Sequence, residues 1–226
     1  MTNFLAAQEF FSLDSFAHKA LFCEGKDVFD ALRNLNKYLT SSVLGVIEVD
    51  VLEGVYLVNP EQISIGAGTV IEPGVLIQGP CIIGKNCHIR QGAYIRGDVI
   101  TGDRCVIGHD TEVKHSIFLD DAMAAHFNYV GDSIIGNGVN LGAGVKCANL
   151  RLDHENVVVF IDGKRIETGL KKLGAVVGDG AQIGCNCVTD PGTLLGKNSI
   201  CYPCLNVHGY VPKNGKVKPG LKNIVE

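Results

Sequence analysis

A period of six residues dominates this sequence from residue 65 onward and limits the folds that the chain can adopt. Mostly aliphatic residues return at this spacing over ten successive positions: Ile65, Ile71, Ile77, Ile83, Ile89, Ile95, Thr101, Ile107, Val113 and Leu119. Six matches neither the 3.6-residue period of a helix nor the two-residue period of a half-buried strand. A short strand followed by a corner satisfies it, so the pattern predicts a β-solenoid.

The six-residue count slips once, between Leu119 and Ile135, where the interval is 16 residues. It resumes after the slip, and again after a later excursion, at these positions: Ile135, Leu141, Cys147, Val177, Ile183, Thr189 and Leu195. The segment that contains the slip gathers polar side chains, among them His126 and Tyr129. We therefore expect the break in the repeat to have a functional reason.

The flanking segments have other patterns and divide the chain into three regions. Residues 1–58 are expected to form an N-terminal α-helical cap, because apolar residues recur there at helical spacing: Val28, Ala31, Leu32, Leu35 and Leu39. Residues 59–210 are expected to form the solenoid. Within them, Asp162-Gly163 between two β-rich runs predicts a β-hairpin insertion at about 150–173. Residues 211–226, rich in Gly, Pro and Lys, are expected to form a C-terminal tail.

Composition excludes several classes of function. The net charge of −4 argues against general affinity for nucleic acid or anionic membranes. The sequence has no run of about 18 apolar residues and no basic, apolar leader, so neither a transmembrane helix nor a signal peptide is expected. Nine cysteines without an export signal indicate reduced thiols and a cytoplasmic location.

The stretch IGAGTVIEPGVLIQGPCIIGKNC resembles the hexapeptide-repeat transferases. The resemblance covers about residues 60–210 and implies a mainly β fold, a left-handed parallel β-helix with three hexapeptides per coil. This fold carries acyltransferases, carbonic anhydrase-like metalloenzymes and scaffold proteins, so the repeat predicts architecture rather than function.

With three hexapeptides per coil, residues 18 apart stack at the strand spacing of about 4.8 Å. Arg96 and Lys114 are 18 apart and both follow an inward aliphatic residue, so we expect them to point outward from one edge. They are either two solvated charges or a phosphate clamp, in which Arg offers a fork and Lys a point charge. His126 is expected to face these cations from the next coil.

The segment AAHFNYVGDSIIGNGVNLGAGVKCANL resembles a narrower group. It is similar to the acetyltransferase domain of the bifunctional N-acetylglucosamine-1-phosphate uridyltransferase/glucosamine-1-phosphate acetyltransferases, and to the C-terminal β-helix of sugar-1-phosphate nucleotidyltransferases. These enzymes have a His-x-x-Tyr-x-Gly-Asp segment, then Asn-x-Gly-Ala-Gly and a later Asn. The resemblance implies an acetyl-CoA-dependent N-acetyltransferase of an amino-sugar 1-phosphate, in UDP-N-acetylglucosamine or other nucleotide-sugar biosynthesis.

The same resemblance implies roles for individual residues and an assembly. His126 would be the general base, a task that suits an imidazole with an ordinary pKa of about 6.5. The substrate would be bound by Arg96, Lys114, Tyr129, Asn140 and Asn149. Acetyl-CoA would contact Lys172, Ala143 and Cys185. The family implies a homotrimer with sites between subunits.

An alternative hypothesis gives the chain the same fold but no catalytic activity. Residues 1–58 hold no Gly-rich phosphate-binding signature, so nucleotidyl transfer by this chain is not expected. The chain could instead be a non-catalytic β-helical regulatory or scaffold subunit that partners a separate sugar-1-phosphate nucleotidyltransferase.

Four cysteines near the end of the repeat raise the question of a metal site, since such pairs occur in zinc cages: Cys185, Cys187, Cys201 and Cys204. The repeat gives Cys187 and Cys201 inward positions, so no metal is expected. Carbonic anhydrase-like zinc chemistry would need three convergent histidines, for which His88, His109 and His126 are the candidates. His88 and His109 are 21 residues apart, which does not match the coil period.

Overall fold

Three parallel sheets of eight strands each form the sides of a solenoid in the computed structural model, which describes residues 4–22, 27–161 and 163–220. The chain visits sheet 1, sheet 2 and sheet 3 in turn, so that each circuit adds one strand to every sheet. The prediction of a mainly β, left-handed parallel β-helix with three strands per coil is confirmed.

The strands are short and separated by tight corners. Sheet 1 contains Tyr56–Val58, Leu76–Gln78, Tyr94–Ile95, Glu112–Lys114, Tyr129–Gly131, Lys146–Cys147, Val188–Thr189 and Asn206–Val207. Sheet 2 contains Ile63–Ile65, Cys81–Ile83, Val99–Thr101, Ser116–Phe118, Ile134–Ile135, Ala175–Val177, Thr193–Leu195 and Tyr210–Val211. Sheet 3 contains Val70–Ile71, His88–Ile89, Val106–His109, Met123–His126, Asn140–Leu141, Gln182–Ile183, Ile200–Cys201 and Lys216–Val217.

The six-residue period places one aliphatic side chain inside the solenoid on every side. Ile77 pairs with Ile95, and Ile95 pairs with Val113, so residues 18 apart stack as expected. All three are fully buried. Burying an aliphatic side chain of this size contributes about 1.5–3 kcal/mol, which explains why the repeat fixes the register of the coils.

Two shortened sides explain the interruption of the count. Val113 pairs with Val130 and Phe118 pairs with Ile135, and both pairs are 17 residues apart rather than 18. Each missing residue is lost at the corner between sheets 1 and 2, and Phe118 therefore enters the solenoid core. Leu119, which the count of six places in the repeat, lies outside it in a second apolar cluster, so that prediction is wrong.

That second cluster lies between the outer face of sheet 2 and the N-terminal cap. The cap contains helix α1 (Ala7–Phe10), a 3₁₀ turn (Lys19–Phe22) and helix α2 (Asp30–Ser41), and another 3₁₀ turn (Pro60–Gln62) precedes sheet 2. The predicted helical stripe is confirmed for four residues on helix α2, while Val28 lies in the turn before it, and all five are buried: Val28, Ala31, Leu32, Leu35 and Leu39. They pack with outward-pointing residues of sheet 2, which are also fully buried: Ile100, Ile117, Ile134, Val176 and Leu194.

The predicted hairpin is present as strands Val158–Ile161 and Lys164–Glu167, paired antiparallel. Gly163 in its turn has a φ of 73°, and Asp162 lies outside the described residues. The hairpin leaves the coil, but one of its faces packs into the cap cluster through Val159 and Ile161. It is therefore held by the chain's own cap.

The solenoid extends beyond both of its predicted boundaries, residues 59 and 210. Tyr56–Val58 already belongs to sheet 1, within the region expected to be a helical cap. Lys216–Val217 pairs with Ile200–Cys201, so the expectation of a tail from residue 211 is wrong as far as residue 217. The six-residue spacing between Val211 and Val217, both buried, continues the coil. Within the described ranges, no helix has the length and apolar character needed to cross a membrane.

Candidate active site

A pocket of about 280 Å³ lies at the corner between sheets 1 and 2, on the coils that contain the shortened sides. This corner pocket is lined by Arg96, Gly97, Asp98, Lys114, His115, Asp132 and Lys172. Tyr94–Ile95 pairs with Glu112–Val113, so Arg96 and Lys114 follow equivalent positions on adjacent coils. The expected stacking of these two cations is therefore seen in the structure.

Each stacked cation has a carboxylate of its own. Arg96 Nη1 donates to Glu112 Oε1 at 2.6 Å, and this bond contributes most to raising the pKa of Arg96. Lys114 Nζ donates to Asp132 Oδ2 at 2.8 Å, and their side chains are only 18% and 8% exposed. The two cations are thus held as ion pairs, and the Lys114–Asp132 pair is the more buried.

Asp132 joins three residues that the sequence predicts to bind substrate. Its carboxylate accepts from Lys114 and also from Asn149 Nδ2, which donates to Tyr129 Oη at 3.3 Å as well. Gly131 makes room for this arrangement, because a Cβ there would lie 2.7 Å from both Asn149 Nδ2 and Tyr129 Oη. Lys114, Tyr129 and Asn149 therefore form one hydrogen-bonded group.

Lys172 lies in the corner pocket, beside Arg96 and Lys114, although the sequence assigns it to acetyl-CoA. It is exposed, and no residue in the described part of the chain pairs with its ammonium group. The segment that closes the hairpin insertion brings it there. Its position groups it with the predicted substrate residues rather than with Ala143 and Cys185.

His126 lies at a different corner, between sheets 3 and 1, at the end of strand Met123–His126. Its side chain is exposed and is absent from the lining of the corner pocket. Ala143 and Cys185 occupy the same corner on later coils: Gly144 N donates to His126 O, and Asn186 N donates to Ala143 O. The structure therefore groups the predicted general base with two of the predicted acetyl-CoA residues.

The two groups lie at opposite ends of the sheet 1 strand Tyr129–Gly131. Asn140 belongs to neither corner and lies on sheet 3. With Cys185 and Tyr202 it lines a cavity of about 370 Å³ on the C-terminal coils. The expectation that His126 faces the stacked cations from the next coil is not met, because the outer surface of sheet 1 lies between them.

Asp98 and His115 line the corner pocket although the sequence does not predict them as site residues. They follow the stacked cations Arg96 and Lys114 by two positions and one position. Both have positive φ, 50° for Asp98 and 44° for His115, as Asp132 does at 48°. Their polar side chains just after the two cations are the signal in the sequence that could have pointed to them.

The cysteines in the described residues are free thiols. Cys187 and Cys201 are buried, as the repeat predicts, whereas Cys185 and Cys204 are exposed. Burial raises the pKa of Cys201 to about 12. Across the ranges that the structure describes, no three His, Cys, Asp or Glu side chains are grouped to hold a metal ion.

Comparison with known proteins supports the resemblance seen in the sequence. The family described as the GMPPB C-terminal domain matches residues 77–166. The bifunctional sugar-1-phosphate nucleotidylyltransferase/acetyltransferase of Sulfurisphaera tokodaii is 37% identical over 169 residues, covering 75% of this chain and 41% of that protein. The Escherichia coli protein YaiX, named as an acetyltransferase, is 34% identical over 151 residues, covering 67% of this chain and 66% of that protein.

Solved structures support the fold. The UDP-N-acetylglucosamine acyltransferase of Francisella novicida superposes with a TM-score of 0.52 at 17% identity, over 76% of this chain and 66% of that one. The chain spans less than half the length of the Sulfurisphaera relative, so the comparison with that protein concerns only part of it.

Proposed function

Since the chain carries a hexapeptide-repeat, acetyltransferase-like domain, we propose that it is an acetyl-CoA-dependent N-acetyltransferase acting on an amino-sugar 1-phosphate. A glucosamine-1-phosphate-like substrate would place the reaction in nucleotide-sugar biosynthesis, including that of UDP-N-acetylglucosamine. The observation that carries the proposal is the convergence of Arg96, Lys114 and Lys172 on one pocket, next to the Tyr129–Asn149 pair.

The corner pocket suits a phosphomonoester. Arg96 offers a planar fork and Lys114 a point charge, and both are already held in place by Glu112 and Asp132. Lys172 is exposed and has no ion-pair partner among the described residues, so its ammonium group could bind a ligand oxygen. A phosphate dianion between these groups would be attracted by three cations, two of which need little reorganisation to bind it.

The sugar would lie over Tyr129, between the corner pocket and the corner that bears His126. Tyr129 Oη, which accepts from Asn149, would donate to a sugar hydroxyl, and Asn149 Oδ1 would accept from one, while Asn140 is proposed to contact the sugar from sheet 3. His126, exposed at that corner, would take a proton from the 2-amine as the nitrogen attacks. This assignment makes the two residue groups complementary parts of one site.

Acetyl-CoA would supply the thioester carbon that the amine attacks. Ala143 and Cys185 continue the His126 corner, and the cavity of about 370 Å³ beside Cys185 has the size of a small-ligand site. The small side chain of Ala143 leaves the backbone there open to a bound thioester. We assign these two residues to the co-substrate and reassign Lys172 to the phosphate.

The test is CoA release by the purified protein with glucosamine-1-phosphate or galactosamine-1-phosphate. His126→Ala is expected to lower kcat about 10²–10⁴-fold, the usual contribution of a general base. His109→Ala is the matched control, because His109 is the register partner of His126 on the preceding coil, and it should change kcat little. Absence of CoA release from the wild type, or equal activity of both variants, would refute the proposal.

The non-catalytic alternative has one observation in its favour. The ion pairs Arg96–Glu112 and Lys114–Asp132 are complete without any ligand, as they would be in a scaffold. A regulatory subunit should copurify with a separate sugar-1-phosphate nucleotidyltransferase and release no CoA. The proposed homotrimer is common to both functions, and light scattering showing a monomeric mass would contradict it.

A further inference from the structure

The N-terminal cap contacts one wall of the corner pocket directly. Asn36 Nδ2, on helix α2, donates to Asp98 Oδ1 at 2.6 Å. His115 Nε2 donates to the carbonyl oxygen of Leu32, on the same helix, at 3.1 Å. His115 Nδ1 lies 3.4 Å from the other carboxylate oxygen, Asp98 Oδ2. Helix α2 therefore holds one oxygen of Asp98 through Asn36 and, through the Leu32 carbonyl, fixes the His115 ring beside the other oxygen.

Helix α2 also contacts the segment that leads to Lys172. Arg33 Nη2 donates to the carbonyl oxygen of Thr168 at 2.7 Å, at the end of the hairpin insertion. Lys172 follows Thr168 by four residues and lines the pocket. One helix thus connects the Asp98–His115 wall with the segment that carries the unpaired cation.

The charge of Asp98, and whether its carboxylate is held in place, affect how many of the pocket cations a bound anion can contact. Burial acts to raise the pKa of Asp98, but hydrogen bonds from His115 and Asn36 outweigh it and leave the pKa below its ordinary value. The group is therefore an anion inside a pocket with Arg96, Lys114 and Lys172. If its oxygens were free, this carboxylate would compete with a phosphate for the same cations.

We propose that helix α2 is a positioning element of the anion site, which restrains Asp98 through Asn36 and His115 so that the pocket cations remain available to a phosphomonoester. The inference rests on the proposed function only in placing a phosphate in the corner pocket. Under this proposal the N-terminal cap contributes to substrate affinity, although it lies outside the hexapeptide repeat.

The test is Asn36→Ala, which removes the donor to Asp98 from an exposed position and leaves the pocket lining intact. Asn34→Ala is the matched control, because Asn34 is the same residue type on the same helix and, within the described part of the chain, does not line the pocket. The Kd for inorganic phosphate and the KM for the sugar phosphate should rise about fivefold in Asn36→Ala, which corresponds to about 1 kcal/mol, the typical net contribution of a single hydrogen bond. The kcat should stay unchanged, and Asn36→Gln, which keeps an amide donor, should restore most of the affinity.

The outcomes separate this inference from the proposed function. Phosphate binding that weakens in Asn36→Ala, in a protein that releases no CoA, would support the inference and refute the N-acetyltransferase. Equal phosphate affinity of Asn36→Ala and the wild type would refute the inference and leave the enzyme proposal standing. A wild type that binds neither inorganic phosphate nor sugar phosphate would refute both. Thermal unfolding of each variant checks that an altered Kd does not come from partial loss of the fold.

Discussion

The buried ion pair between Lys114 and Asp132 makes a quantitative prediction for Asp132→Asn. Asn keeps the shape of the side chain and accepts the corner geometry, since Asn tolerates the positive φ of 48° at this position. Its amide oxygen can still accept from Lys114 and Asn149. The substitution therefore removes the negative charge while leaving the packing and the hydrogen-bond acceptor largely intact.

The expected cost follows from the burial of the pair. With the two side chains 18% and 8% exposed, solvent screens the interaction little, and removing one member of a buried pair costs about 3–5 kcal/mol. The retained acceptor lowers this figure, because a hydrogen bond to a charged group accounts for about 1.5–3 kcal/mol of such an effect. We expect Asp132→Asn to lower the free energy of unfolding by about 2 kcal/mol.

Urea denaturation followed by far-UV circular dichroism measures this change. Asp121→Asn is the matched control: Asp121 also has positive φ and forms two bonds to Arg104, but both partners are about half exposed. An exposed pair of this kind contributes about 0.5 kcal/mol. If Asp132→Asn costs no more than Asp121→Asn, the argument from burial is wrong.

Two further predictions concern the solenoid itself. Gly108→Ala should destabilise the protein by about 3 kcal/mol in the same assay, because the new Cβ would lie 1.7 Å from the carbonyl oxygen of Ala125 on the next coil. Gly138→Ala is the comparison: it meets no clash, but its φ of 62° alone should cost about 1 kcal/mol. Burial raises the pKa of Cys81 to about 12, so at pH 8 its thiol is almost entirely protonated. Peptide mass spectrometry after brief alkylation should find Cys185 modified and Cys81 unmodified, and early labelling of Cys81 would contradict the buried position.

The inward-facing aliphatic residues of the solenoid could be predicted, because the six-residue spacing has one structural explanation. The shortened sides could not be located in the same way. Phe118 and Leu119 are both apolar and both buried, one in the solenoid and one under the cap. A sheet covered on both faces loses the alternation of polar and apolar residues that would reveal its register.

The candidate site was predictable in parts. The stacking of Arg96 and Lys114 followed from coil geometry, whereas their pairing with Glu112 and Asp132 depends on side-chain directions that spacing does not encode. The place of Lys172 in the corner pocket could not be predicted, because the hairpin insertion separates it from the repeat along the chain. Contacts from the cap were invisible in the sequence, since helix α2 is far from the repeat along the chain.

The covering of sheet 2 by the cap makes the three sides of this prism unequal. Without the cap, the solenoid would present three similar sheet surfaces to a neighbouring molecule, whereas the cap covers sheet 2 and leaves sheets 1 and 3 uncovered by it. The corner pocket lies at the edge where the covered sheet 2 meets sheet 1. The strands that carry the cations and the helix that contacts Asp98 are therefore separate parts of the chain. Under the proposed role of the helix, substitutions in it would alter phosphate affinity while the register of the strands stays the same.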